Sequence, residues 1–223
     1  MDTALAKDTI ALLRTTFRDR AERAKRLADD DPDAAWDQLQ FYDVPFINEM
    51  CLMLLVAAWH QVEREVICLA ALLTPDGRQI TRQQFLSNMQ RAQELYHSAR
   101  TRQQVVSKLR LDTFPEWSGS MDTLRLLSNC YKHDPSKGPG VPLVRRLSLN
   151  TSPIYMPLPE SPAFQKGLAV YLGLQESATF VDIAEEFLRR AGSFLADLRT
   201  TTQQTGQLST WAVNLFDPQL YGV

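Results

Sequence analysis

Three polar side chains recur at every fourth position in one stretch of the sequence: Arg125, Asn129 and His133. They combine a permanent cation, an amide and a base that titrates near neutral pH, which suits acid–base chemistry on an anionic substrate. Residues at i, i+4 and i+8 lie along one face of an α-helix. The spacing therefore predicts a helix that carries these three residues, the polar row, with Asp122 on the same side. A second interpretation stays open, a solvated helix face that ends on a histidine favoured by the helix dipole.

The opposite face of this stretch is apolar, because Leu124, Leu127 and Tyr131 lie within about 60° of one another on a helical wheel. Apolar residues recur with helical spacing elsewhere in the chain as well. The pattern predicts an all-α protein, a helical bundle of four to five long helices. The other predicted elements are helices at 3–29, about 46–73, about 82–99, 163–174 and 180–199, a helical turn at 34–41 and a connector at 114–120.

The chain is expected to form a single helical domain over residues 1–223, with its core at about 47–200. Seven of the twelve prolines fall between residues 135 and 162, which predicts a Pro-rich irregular insertion. Residues 201–223 are expected to form a C-terminal tail that docks on the domain or on a partner. Four charged residues of the last long helix are predicted to face water: Glu185, Arg189, Arg190 and Arg199.

Several common chemistries are absent from the sequence. It contains no glycine-rich phosphate loop, no HExxH zinc motif and no GxSxG nucleophile motif. Its three histidines are scattered and its three cysteines form no CxxC pair, so we expect no metal, no cofactor and no disulfide framework. The N-terminus lacks a signal-peptide pattern, and the longest apolar run, Met50 to Trp59, is too short for a bilayer. These features predict a cytoplasmic protein without a membrane partner.

Charge gives two further expectations. Glu63 projects near the apolar stripe of the helix at 46–73, so its carboxylate needs a partner, which the polar row can supply. The alternative is that Glu63 lies half exposed at the edge of the stripe. A basic run along the chain is either a nucleic-acid-binding face or a solvated helix face: Arg82, Arg91, Arg100, Arg102, Lys108 and Arg110. The net charge of −2 gives no chain-wide case for tight binding to nucleic acid.

The stretch from Leu124-Arg125 to Asn129-Cys130-Tyr131-Lys132-His133 resembles the Arg…His motif of the HEPN superfamily of all-helical domains. More residues separate Arg125 from His133 than in the usual family motif, and Leu126 stands where a polar residue is common. A helical spacing of i+8 nevertheless keeps both side chains on one side.

The resemblance implies a metal-independent endoribonuclease of a toxin–antitoxin or defence system, with the motif helices of a homodimer meeting at a cleft. It implies RNA as substrate and an antitoxin or another protein as partner. Arg125, Asn129 and His133 would be catalytic, and Lys132 would bind substrate. Glu63 and Asp122 would hold the catalytic side chains in place. Two alternatives stay open: a non-catalytic HEPN-like domain that binds a nucleotide or a protein, and a helical scaffold unrelated to that family.

Overall fold

The computed structural model describes residues 3–132 and 162–209 of the chain. Within these residues no strand forms, and the β-pairing is one isolated bridge between Leu73 and Leu208. The predicted all-α class is therefore confirmed. Its α-helices are α1 (Thr3–Asp30), α2 (Pro32–Gln38), α3 (Val44–Leu72), α4 (Arg82–His97), α5 (Arg102–Lys108), α6 (Asp122–Lys132), α7 (Pro162–Leu172) and α8 (Phe180–Gln204). His133, most of the predicted insertion and residues 210–223 of the tail lie outside the described residues.

Side-chain caps fix where two of the helices begin. At the start of α4, the Thr81 hydroxyl accepts from the backbone N–H of Gln84, whose side chain accepts in turn from the Thr81 N–H. At the start of α8, Thr179 and Asp182 exchange the same pair of bonds. Each pair satisfies two N–H groups that a helix terminus leaves without partners. Both starts follow from spacing in the sequence.

Two π-helical turns interrupt the regular helices. One, Leu39–Asp43, joins α2 to α3, and the other, Trp117–Met121, leads directly into α6. A π-turn adds a residue to a helical turn and often occurs near functional sites. The sequence predicts only a helical turn at 34–41 and a connector at 114–120, and it does not predict the π-helical geometry of either segment. Helix α4 ends close to the predicted residue 99, because Ser98 adopts an extended conformation before α5 begins.

The chain divides into two compact units. The first unit comprises Met1–Trp59 and Gly119–Gly192, and the second comprises His60–Ser118 and Ser193–Val223. Helices α3 and α8 both begin in the first unit and end in the second. Arg125 and Asn129 belong to the first unit. The expected single domain over residues 1–223 stays a prediction.

Each unit has its own apolar core. Leu124, Leu168 and Phe187 are fully buried in the first unit. In the second unit, Leu111 and Phe194 are equally inaccessible, and the rings of Phe114 and Trp117 pack on Phe194 with centroid distances of 5.7 Å each. Burying a large apolar side chain contributes about 1.5–3 kcal/mol. Because Leu124 is buried in the core of the first unit, α6 is anchored through its apolar face, and this fixes the direction of its polar face.

The continuous helical stretch Pro32–Leu72 is the one helix among the described residues that is long and apolar enough to cross a membrane by length and composition. A core helix of a globular protein meets the same criterion. Within α3, a full stripe of side chains is at most 2% exposed, as the sequence predicts for a core helix: Leu52, Leu55, Trp59, Val62 and Val66.

Candidate functional site

Helix α6 separates its apolar and polar residues as the sequence predicts. Leu124 and Leu127 are buried, whereas Asp122, Arg125 and Asn129 are each partly covered. No residue from 122 to 129 is fully exposed. On this face Arg125 is largely covered, whereas the side chain of Asp122 is about half in water.

Asp122 holds Arg125 in a defined position. One carboxylate oxygen, Asp122 Oδ1, accepts from Arg125 Nε at 2.9 Å and from Arg125 Nη2 at 2.7 Å. The arginine side chain is only 19% exposed, whereas that of Asp122 is 47% exposed. A guanidinium has five N–H donors in a fixed plane, so three remain for another acceptor. The arrangement is a pre-oriented cation that can bind a bidentate anion such as a phosphodiester.

Arg190 fixes the turn from which α6 starts. Its Nη1 donates to the buried hydroxyl of Ser120 at 3.1 Å, and its Nη2 donates to the carbonyl of Leu172 at 2.7 Å. Its Nε donates to Glu186 at 2.7 Å, within α8. One guanidinium thereby links the end of α7, the body of α8 and the π-turn before α6. The prediction that Arg190 faces water is wrong, because these contacts leave it half-buried.

Arg199 is a second exception among the charged residues predicted on the solvent face of α8. It forms an ion pair and a hydrogen bond with Glu65, a carboxylate whose side chain is only 7% exposed. The hydrogen bond with Glu65 raises the pKa of the Arg199 guanidinium, against the opposing effect of burial. Sequence periodicity gives no hint of this pair, because the two residues lie 134 positions apart.

The other predicted site residues are placed less directly. The backbone of Lys132 ends α6, but its side chain lies outside the described part of the structure, as does all of His133. Their proposed roles therefore stay predictions. Among the described residues, no group of three or more histidine, cysteine, aspartate or glutamate side chains could hold a metal ion.

Glu63 lies half-buried beside two histidines in the second unit. Its Oε2 is 3.4 Å from His60 Nδ1, and its Oε1 is 3.8 Å from His97 Nδ1. The sequence leaves open whether this carboxylate is paired or half exposed at the edge of the stripe, and in the structure two histidines are its polar neighbours. The expected role of Glu63 in holding Arg125 or His133 stays a prediction.

Two of the three thiols are unsuited to nucleophilic chemistry. Burial raises the pKa of Cys51 to about 12. Burial foremost, together with the negative charge of Glu65, raises the pKa of Cys68 to about 11. Both side chains are therefore protonated near neutral pH, and the thiolate is the reactive form.

A cavity of about 480 Å³ in the second unit includes two residues of the basic run, Arg91 and Lys108. Sequence spacing shows that the run is basic, but the cavity depends on contacts between α3, α4 and α5 that spacing does not reveal. The other four residues of the run do not line this cavity. Arg82, Arg100 and Arg110 are exposed, as Arg91 and Lys108 also are, and Arg102 donates to the carbonyl of Tyr96 at 2.9 Å.

Comparisons of this chain with protein-family models, with curated proteins and with solved structures give no match.

Proposed function

We propose that this protein is a metal-independent endoribonuclease in which Arg125 and His133 act on the scissile phosphodiester. The observation that carries the proposal is the pre-oriented guanidinium of Arg125, which donates two hydrogen bonds to Asp122. Cleavage of a phosphodiester concentrates negative charge on the non-bridging oxygens. A cation that is already positioned stabilises that charge without further reorganisation.

The reaction is an internal transesterification. The ribose 2′-oxygen bonds to phosphorus while its proton passes to a neutral imidazole, and the bond from phosphorus to the 5′-oxygen breaks. The departing 5′-oxygen takes a proton from an imidazolium. The products are a 2′,3′-cyclic phosphate and a 5′-hydroxyl, so no water and no metal enter the step. His133 fills the proton-transfer role because it continues the spacing of Arg125 and Asn129.

The remaining residues of the row take supporting roles. Asn129, one turn after Arg125 and half-buried, orients the imidazole or the phosphate through its amide. Lys132 adds positive charge for binding the RNA backbone. A homodimer brings two copies of the row together, one imidazole as base and the other as acid.

Cleavage of single-stranded RNA in the presence of EDTA tests the proposal. The wild-type protein should cut, and Arg125→Ala and His133→Ala should each lower the rate by at least a hundredfold, as for loss of a group acting on the transition state. Arg18→Ala is the matched control, because Arg18 is an exposed arginine of the first unit whose nearest carboxylate, on Asp19, is 3.7 Å away. It should cut like the wild type.

Melting temperatures of the same variants separate catalysis from structure. If Arg125→Ala and His133→Ala abolish cutting with little change in melting temperature, the row is catalytic. If cutting is absent in the wild type or survives both substitutions, the proposal is refuted. A loss of several degrees in both variants would instead identify a structural polar network, as in the non-catalytic alternative.

A further inference from the structure

The cavity of the second unit is lined by cationic and polar side chains together with apolar ones. Arg78, Arg91 and Lys108 supply the charge, and no carboxylate belongs to its lining. Asn88 and Gln104 add amides, and the apolar part of the wall consists of Ala70, Leu73, Pro75, Ala92, Leu95 and Val105. A concave site with convergent polar groups on an apolar wall is the usual form of a small-molecule site.

Two cations of the cavity, Arg91 and Lys108, lie close enough to interact. Burial lowers the pKa of the Lys108 ammonium, and the positive charge of Arg91 lowers it further. Arg91 forms no ion pair or hydrogen bond within the part of the chain that the structure describes. Arg78 has only a loose ion pair with Asp76, at 3.8 Å between two exposed side chains. An anion in the cavity would relieve this repulsion.

Two polar side chains of the lining, Lys108 and Asn88, cap the end of α3, whereas Arg91 does not. The last carbonyls of α3 lack partners within the helix. Lys108 Nζ donates to the carbonyl of Ala70 at 2.7 Å, and Asn88 Nδ2 donates to that of Ala71 at 3.1 Å. The end of α3 that borders the cavity is thus capped, and the Lys108 ammonium keeps two N–H donors for another acceptor. Capping engages Lys108 and Asn88, whereas the exposed guanidinium of Arg91 keeps its N–H donors for another acceptor.

We infer that this cavity binds a small phosphorylated molecule through its phosphate, with Arg91 as the principal ligand. A phosphate accepts the paired N–H donors of a guanidinium and a further bond from an ammonium. The volume of about 480 Å³ exceeds what inorganic phosphate needs and suits a phosphate ester whose organic part lies on the apolar wall. This binding site goes beyond the proposed RNA cleavage, because it uses none of the polar row.

Isothermal titration calorimetry and thermal shift test the inference with the full chain. The ligands are pyrophosphate, adenosine diphosphate and a hexose phosphate, with adenosine as the phosphate-free control. At least one phosphate-bearing ligand should bind with one site per chain. It should raise the melting temperature by about 5–10 °C at a hundredfold excess over Kd. Which of the three binds identifies the source of the phosphate, and adenosine should produce no shift.

Substitutions of Arg91 distinguish the cavity from other sites. Arg91→Ala should weaken binding by about tenfold or more, as for loss of a hydrogen bond to a charged group. Arg82→Ala is the matched control, since Arg82 is an exposed arginine of the same helix, as Arg91 is, but does not line the cavity. Arg91→Glu should abolish binding without lowering the melting temperature of the free protein, because the new carboxylate faces Lys108.

Three results would overturn the inference: no phosphate-bearing ligand binds, Arg91→Ala binds like the wild type, or adenosine binds as well as adenosine diphosphate. Binding of RNA oligonucleotides through Arg91, with no small phosphate ester bound, would also overturn it.

Discussion

The bond between Asp122 and Arg125 makes Asp122→Ala an informative perturbation. An i, i+3 ion pair on a helix contributes about 0.2–0.5 kcal/mol. An acidic residue in the first turn of a helix adds about 0.3–1 kcal/mol. Because the Asp122 side chain is 47% exposed, water screens the pair and the lower part of these ranges applies. The loss of stability should be about 0.5 kcal/mol, or about 1–2 °C in melting temperature for a chain of this size.

RNA cleavage should fall further than stability in this variant. Without Asp122, the guanidinium of Arg125 must be ordered again during each reaction, and an arginine side chain carries about 2 kcal/mol of rotamer entropy. That amount corresponds to about a thirtyfold decrease in kcat/KM as an upper value. The assay is cleavage of a labelled single-stranded RNA in EDTA, with thermal unfolding measured on the same samples. Asp122→Asn keeps an acceptor oxygen and should recover part of the activity.

Asp197→Ala is the matched control for this experiment, because Asp197 is an exposed carboxylate on α8. It should change neither cleavage nor stability appreciably. The reasoning is refuted if Asp122→Ala cuts RNA at the wild-type rate, since Arg125 would then need no positioning. It is also refuted if Asp122→Asn is as inactive as Asp122→Ala.

Three further predictions concern stability and reactivity. Arg199→Met should lower the free energy of unfolding, measured in urea, by about 3–5 kcal/mol, because it leaves the Glu65 carboxylate buried without its cation. Glu65→Gln should lower it less, because it leaves no buried carboxylate. The hydrogen bond from Arg189 foremost lowers the pKa of Glu186, so the unfolded state binds more protons. The free energy of unfolding should therefore decrease as the pH is lowered below about 5, and it should decrease less steeply in Glu186→Gln. Equal pH dependence of the two proteins would contradict this. Iodoacetamide at mildly alkaline pH should leave Cys51 of the native protein unmodified by peptide mass spectrometry.

Local sequence patterns predict the helices and the facing of α6 because both depend on neighbours within one or two turns. The Thr81–Gln84 and Thr179–Asp182 caps and the burial of Leu124 follow from such spacing. The π-turn before α6 does not, since the residue pattern of Trp117–Met121 indicates only a connector.

Contacts between distant residues account for what the sequence could not predict in the site. Periodicity assigned Arg190 to the solvent, yet it binds Ser120, 70 positions away. Lys108 reaches a carbonyl of α3 that lies 38 positions before it. A long, flexible cation on a helix edge can face water or turn inward to an unpaired carbonyl or hydroxyl. Only the tertiary structure decides between these outcomes.

The 3′ ends of the RNA fragments test the central claim most directly. RNA incubated with the protein in EDTA should yield fragments that end in a 2′,3′-cyclic phosphate, and His133→Ala should yield none. Fragments ending in a 3′-hydroxyl, cleavage that requires a divalent metal, or unchanged cleavage by His133→Ala would contradict the proposed role of the polar row.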